Sequence, residues 1–333
     1  PVPPRTLGNQ RYGRDHVDHS GPNVTPIAQV LVLAARNGRF LLVLGLIAGM
    51  LLPDLAVVMR PWLQELVAGL LFLAALRIGP RKALGAVADF PVTILLVLLF
   101  QLILPLIAVW LFWIAGMLGG TLATALVLML SASSISGSPN LTIMTGHNPA
   151  PALRMLITGT ALLPLTVIPV FWLLPELGGV VLVLTASARL LAVIVATTLA
   201  AFALRHFVMP EPNTKTLAAL DGLSAIAMAV VVVGLMSAAG PALVNAPAKF
   251  ALWLAAACAA NFGLQIVSSL VILKTRIASD FVPFSIIAGN RNIALFLIAL
   301  PSEVTDPLLL FIGCYQIPMY LTPIILQQLY KQT

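Results

Sequence analysis

Residues 91–115, "PVTILLVLLFQLILPLIAVWLFWIA", run without one charged side chain, and stretches like it recur along the chain. About 20 apolar residues in a helix cross the hydrocarbon core of a bilayer. With no water at that depth, only helices and closed barrels satisfy their own backbone groups. A transmembrane barrel reads as short alternating segments, whereas these runs are long and continuous. Composition agrees: the 333 residues are 60% hydrophobic and 9% charged, with a mean hydropathy of +1.05. Soluble domains carry about 25% charged residues, so a water-soluble fold is excluded. The expected fold class is an all-α polytopic membrane protein.

Ten spans follow from run length: 38–53, 61–77, 91–115, 119–146, 150–174, 181–204, 216–238, 247–273, 281–300 and 304–328. Residues 1–25 are polar, lack the apolar core of a signal peptide and read as a flexible tail. The missing initiator Met points to a trimmed or partial chain. "PIAQVLVLAAR" (26–36) reads as an interfacial helix, so residues 1–37 precede the first span. Residues 38–174 then hold the first five spans and 175–333 the second five.

The net charge of +7 raises the question of nucleic acid or acidic lipid. Its distribution answers it. If the N-terminus is cytoplasmic, fourteen of the eighteen Lys and Arg residues fall on the cytoplasmic side and three on the other; Arg291 lies inside a span. That asymmetry follows the positive-inside rule. It implies both termini cytoplasmic, a multi-pass protein of the bacterial inner membrane, the lipid bilayer as partner, and no nucleic acid. Cys258 and Cys314 sit singly in apolar runs, without the spacing of a disulfide framework or a zinc site.

The two halves look alike. Gln101 lies in the third span, in "LLFQLILPL", and Gln265 in the eighth, in "NFGLQIVSSL". The fourth span is interrupted by "SASSISGSPN" (131–140) and the ninth by "AGNRN" (288–292). Five plus five spans set the halves in opposite orientations, an inverted repeat. Paired interruptions in such repeats point to a midplane substrate site in secondary transporters. Pro lacks the N–H and Gly loosens the helix, and a freed backbone group in lipid costs several kcal/mol unless something satisfies it. A tightly packed small-residue helix contact is the alternative for the first interruption.

Arg291 carries a charge to bilayer depth, at a cost of about 3 kcal/mol on insertion scales. It lies too far from either end of its span to snorkel. Two readings stay open: an Arg bonded to freed carbonyls at a helix crossing, and a charge that binds an anion or replaces a cation at a transport site. No central acid offers itself as counter-ion. Gln101, Gln265, Asn140, Asn261, Asn290 and Asn292 could supply a neutral shell. His147 reads as a loop residue. No nucleophile–base pair, metal cluster or phosphate loop is visible, so the chain does not read as an enzyme.

At these interruptions, and in order from about residue 38 to 330, the chain resembles the bile acid:sodium symporter superfamily. "GLIAGMLLPDLAVVMRPWLQELVAGLLFLAALRIGPRKAL" is similar to the family's first two spans and basic loop. "FQLILPL" resembles its Gln-xxx-Pro element, which puts Gln101 at a sodium-binding position. "GSPNLTIMTGHNPAPALRMLITGTALLPL" resembles its Gly-rich crossover and Ala-Leu-Ser run, with Ser138 and Asn140 at the crossover. The resemblance implies a panel of spans 1, 2, 6 and 7 and a core of spans 3–5 and 8–10 around crossed broken helices 4 and 9. It also implies organic anions moved with sodium by alternating access.

The departures concern sodium. Where sodium-coupled relatives carry Glu-x-Gly-x-Gln-Asn, this chain has Ile287, Gly289, Arg291 and Asn292. Arg154 stands at the Ser of the Ala-Leu-Ser run, and Thr158 at a further hydroxyl ligand. One extra positive unit at 4 Å, at an effective dielectric of about 20, repels by about 4 kcal/mol, or about a thousandfold in affinity. The expectation is therefore a secondary active transporter of a small organic anion without the usual two-sodium coupling and with no cofactor, as monomer or homodimer. Arg291, with or without Arg154, would take the ion's place. A sodium- or proton-coupled efflux carrier of the same superfold and a non-transporting membrane sensor or scaffold are the alternatives.

Overall fold

In the computed structural model, residues 26–85 and 90–331 are described. The N-terminal tail, with Arg5, Arg11 and Arg14 of the charge count, lies outside them. The described residues form helices and contain no strand; two residues, Ser134 and Arg291, form one isolated antiparallel bridge. In chain order the helices are α1 (Pro26–Arg36), α2 (Gly38–Leu51), α3 (Pro53–Met59), α4 (Leu63–Gly85), α5 (Phe90–Leu98), α6 (Leu104–Ile114), α7 (Thr121–Ser131), α8 (Ser138–Met144) and α9 (Ala150–Trp172). They continue as α10 (Val180–Phe207), α11 (Thr214–Leu235), α12 (Ala239–Asn245), α13 (Pro247–Ile272), α14 (Phe281–Gly289), α15 (Phe296–Ala299), α16 (Ser302–Thr305), α17 (Leu309–Ile325) and α18 (Gln327–Lys331).

Seven helical stretches among the described residues are long and apolar enough to cross a membrane: Pro53–Ala83, Pro91–Ile114, Ala150–Trp172, Val180–Phe207, Thr214–Leu235, Pro247–Ile272 and Ser302–Lys331. The pair α1 and α2, bent by 84°, makes an eighth if taken as one span. The chain is an all-α, multi-pass membrane protein. Two of the expected spans, 119–146 and 281–300, are each divided into shorter helices, α7 with α8 and α14 with α15. The second span begins at Pro53, not at 61. Pro suits a first helical position because its missing N–H has no partner there anyway, and Asp54 favours the positive end of the helix.

Two groups of packed helices stand out, joined through α9 and α10. α4 lies against α10 and α11, and α11 in turn carries α1, α2 and α3 along its length. Close approach of α2 to α11 depends on glycine: a Cβ on Gly45 would come within 2.7 Å of the Ala229 carbonyl. Small residues at such contacts let two backbones meet, which drives helix association where lipid offers no hydrophobic force. The other set packs α13 on α14 and α17, with α5 and α8 on α9. Its centre is closely enclosed. Every residue from Phe281 to Leu300 is buried except half-buried Asn292.

Candidate functional site: two crossed helix breaks closed on an arginine

The α7 helix ends at Ser131 and the backbone turns extended at Ala132 (φ −66°, ψ 153°). α14 ends at Gly289, and Asn290 leaves the helix (φ −107°, ψ 89°). The two freed segments then satisfy each other. The Ile135 N–H donates to the Asn290 carbonyl (3.2 Å) and the Asn292 N–H to the Ser133 carbonyl (2.7 Å), on either side of the Ser134–Arg291 bridge. Unwound backbone in this buried core therefore finds its partners in a second unwound backbone.

This leaves carbonyls over. A helix C-terminus exposes four unpaired C=O groups and the negative end of its dipole. Here two such ends meet. A third source is the π-turn Leu99–Ile103 joining α5 to α6. The Leu104 N–H bonds back to the Leu99 carbonyl, so the next carbonyl, that of Phe100, would look to residue 105. Residue 105 is Pro and has no N–H.

Arg291 answers all three. Its Nε donates to the Ala288 carbonyl (3.0 Å), Nη1 to that of Ala132 (3.1 Å) and Nη2 to that of Phe100 (3.4 Å). The guanidinium carbon sits 5.1 Å from the Phe100 ring centroid, within cation–π range. The residue is 1% exposed. Among the described residues no carboxylate pairs with it, whereas Arg60, Arg77 and Arg81 pair with Asp306, Asp221 and Glu211. The charge is held by carbonyl dipoles instead. Of the readings left open by the sequence, bonding to freed carbonyls at a helix crossing describes its surroundings.

Behind the second break lies a neutral network. The Asn261 side chain on α13 donates to the Gly289 carbonyl (2.6 Å) and to Asn290 Oδ1 (3.2 Å). Gln265, one turn on, donates to Asn261 Oδ1 (2.7 Å) and to the Thr322 hydroxyl (3.0 Å), and accepts from the Tyr330 hydroxyl (2.8 Å). The Tyr315 hydroxyl on α17 donates to the Gly289 carbonyl and accepts from the Arg291 N–H (3.2 Å). A Cβ on Gly289 would collide with the Asn261 carbonyl and the Gln265 side chain.

The sequence-derived residues are thus partly assembled. Arg291, Asn290, Gly289 and Gln265 belong to one buried constellation, and Asn292 joins through its backbone. Ser138 is buried and pairs with Ser134 (2.6 Å). Gln101 is buried in the π-turn and accepts from Thr166 (3.3 Å) on α9. Asn140 is not part of the shell: Ser138, Pro139, Leu141 and Thr142 turn inward on α8, and the helix phase leaves Asn140 exposed. Thr158 is buried on α9 but makes no side-chain hydrogen bond among the described residues, and Arg154 sits half-buried near the start of that helix. His147 packs edge-on to Phe281 in the turn after α8.

Tyr315, Thr322 and Tyr330 complete the constellation and were not singled out by sequence. Tyr315 and Thr322 lie in the apolar α17, where a hydroxyl reads as packing, and Tyr330 lies in the short polar α18, beyond the last expected span; Pro318, whose carbonyl Thr322 contacts at 3.1 Å, is the one local sign.

Two cavities flank the crossing. A cleft of about 50 Å³ runs between α4, α11 and α17 and is reached by Arg291, Asn292, Ser136, Gln316 and Tyr320, with no acid in its lining. A wider one of about 210 Å³, mostly apolar, lies between α4, α9 and α10. Neither the family models searched nor the curated proteins yield a match to this chain.

Proposed function

We propose that the chain is a secondary transporter that moves a small organic anion by alternating access, with Arg291 as a built-in cation in place of sodium. The observation that carries this reading is the carbonyl cage around its guanidinium. Three inward carbonyls and two helix C-termini form an environment for a cation, and here the chain fills it with a side chain that is always charged and presents five fixed donors. Resemblance to the bile acid:sodium symporter superfamily leads to the same position by another route. In that reading ten spans form two inverted repeats. The helices gathered on α4 and α11 act as a panel, and those around the crossing act as a core. Both termini are cytoplasmic.

The anion preference is supported by the cleft beside Arg291, which neutral polar residues line and no carboxylate does. Uptake into proteoliposomes with sodium replaced by choline tests the coupling. Unchanged rates are expected, and a steep sodium requirement would remove the built-in cation. The completeness of the carbonyl cage also favours a second reading, a membrane sensor or scaffold in which Arg291 only holds the crossing. A ligand that binds the native state raises its stability by mass action. A broad anion screen by thermal stabilisation that finds none would turn the assignment to this second reading.

A further inference from the structure

The two cavities are not independent. They follow one another along α4: Val67, Leu70 and Leu71 line the narrow cleft, and Leu71, Ala74, Ala75 and Ile78 line the wide one. Two residues belong to both, Leu71 and Ser136. Ser136 lies in the first helix break, two residues after Ser134, which bridges to Arg291. It differs from its serine neighbours. Ser131, Ser134 and Ser138 are buried and hydrogen-bonded, and Ser133 is buried with its hydroxyl 3.4 Å from Thr160. Ser136 is half-buried, and its hydroxyl makes no hydrogen bond among the described residues.

We infer that the two cavities are segments of one path, that Leu71 and Ser136 form its constriction, and that the Ser136 hydroxyl is the group that meets the polar end of whatever passes. The inference rests on the transport reading for its purpose, but its geometry stands separately. On one side of the constriction lie Arg291, Asn292, Gln316 and Tyr320, suited to a polar head; on the other lies an almost wholly apolar wall, suited to an apolar body. A hydroxyl at the boundary can donate or accept, so it serves a head group as it crosses without holding it as a charge would.

The experiment is thiol labelling of the full chain in proteoliposomes, in a background with Cys258 and Cys314 replaced by Ala. Single Ser136→Cys, Ser134→Cys and Thr198→Cys variants are exposed to a charged, membrane-impermeant methanethiosulfonate. Thr198 lines the wide cavity, and its variant reports that the fold and the cavity are intact. Thiol reactivity follows access and thiolate character, so the Ser136→Cys variant is expected to react at least about tenfold faster than Ser134→Cys. Adding Leu71→Trp to Ser136→Cys should close the junction and remove that reactivity, while Leu71→Trp added to Thr198→Cys leaves its thiol reactive. An inert Ser136→Cys beside a reactive Thr198→Cys overturns the inference, as does a Ser136→Cys thiol indifferent to Leu71→Trp. Absence of anion uptake by the unaltered protein would remove the transport reading alone, because the labelling pattern decides the path without it.

Discussion

Gln101 and Gln265 are both buried glutamines, yet their surroundings differ in kind. Around Gln101 the backbone is irregular: a π-turn, a proline and the end of α7 supply carbonyls without amides. Around Gln265 the helix α13 is unbroken, and side-chain amides and hydroxyls pair with one another. An excess of acceptors calls for a donor-only group, and Arg is the side chain with most donors and no acceptor. A balanced set of donors and acceptors closes neutrally. The charge sits where carbonyls of both breaks and of the π-turn converge, and the neutral network closes the carbonyls behind the second break.

The strongest way to break this contrast is to remove the charge. Arg291→Met leaves the carbonyls of Ala288, Ala132 and Phe100 buried without their donor, at roughly 1–3 kcal/mol each. Relief of the buried charge offsets part of this, so a net loss of about 3 kcal/mol is expected, read as a large fall in the thermal midpoint of the purified protein. Arg291→Lys should fall between. It keeps the charge but concentrates its donors at one point, where they cannot span carbonyls from three elements. A midpoint unchanged in Arg291→Met would mean that the carbonyls do not depend on the guanidinium.

Much of this was legible in the sequence, and the remainder was hidden for identifiable reasons. Run length gave the all-α membrane class, and the Ser/Gly/Pro cluster at 131–140 and the charge at Arg291 marked both interruptions. What the residues could not reveal was where the freed carbonyls would point, since a carbonyl has no letter in the sequence. Phe100 illustrates this. Its ring reads as lipid-facing apolar bulk, and only Pro105, five residues on, signals that its C=O will lack a partner. Asn140 lies outside the buried shell for the opposite reason. Its type suited a polar shell, but α8 begins at Ser138, and the phase of one short helix turned it outward.

A glycine on each side sharpens the contrast at a smaller scale. Gly289 faces the backbone of α13: an added Cβ meets the Asn261 carbonyl, which belongs to an unbroken helix and cannot give. Gly159 faces the Gln101 side-chain amide instead, and a side chain can rotate away. Overpacking costs about 1–3 kcal/mol, so Gly289→Ala should lose about 2 kcal/mol and Gly159→Ala clearly less. Equal shifts in thermal midpoint would mean that the two sides are equally rigid, against the ordering of the hydrogen bonds.

The smallest expected effect separates the two glutamines themselves. Tyr330→Phe deletes the donor to Gln265 Oε1, a bond of 2.8 Å between two buried groups. The amide oxygen is then left unpaired in a site closed to solvent, a loss of about 1 kcal/mol. The matching change opposite is Thr166→Val, which deletes a longer bond of 3.3 Å to Gln101 Oε1. The Thr166 hydroxyl also lies 3.2 Å from the Leu163 carbonyl of its own helix, so its single proton is divided between two acceptors. Less is lost when it goes, and Thr166→Val should leave the midpoint nearly unchanged. The reverse order, a marked fall in Thr166→Val beside a neutral Tyr330→Phe, would place the tighter hydrogen bonding on the Gln101 side. The charge would then have to be explained by something other than a local excess of carbonyls.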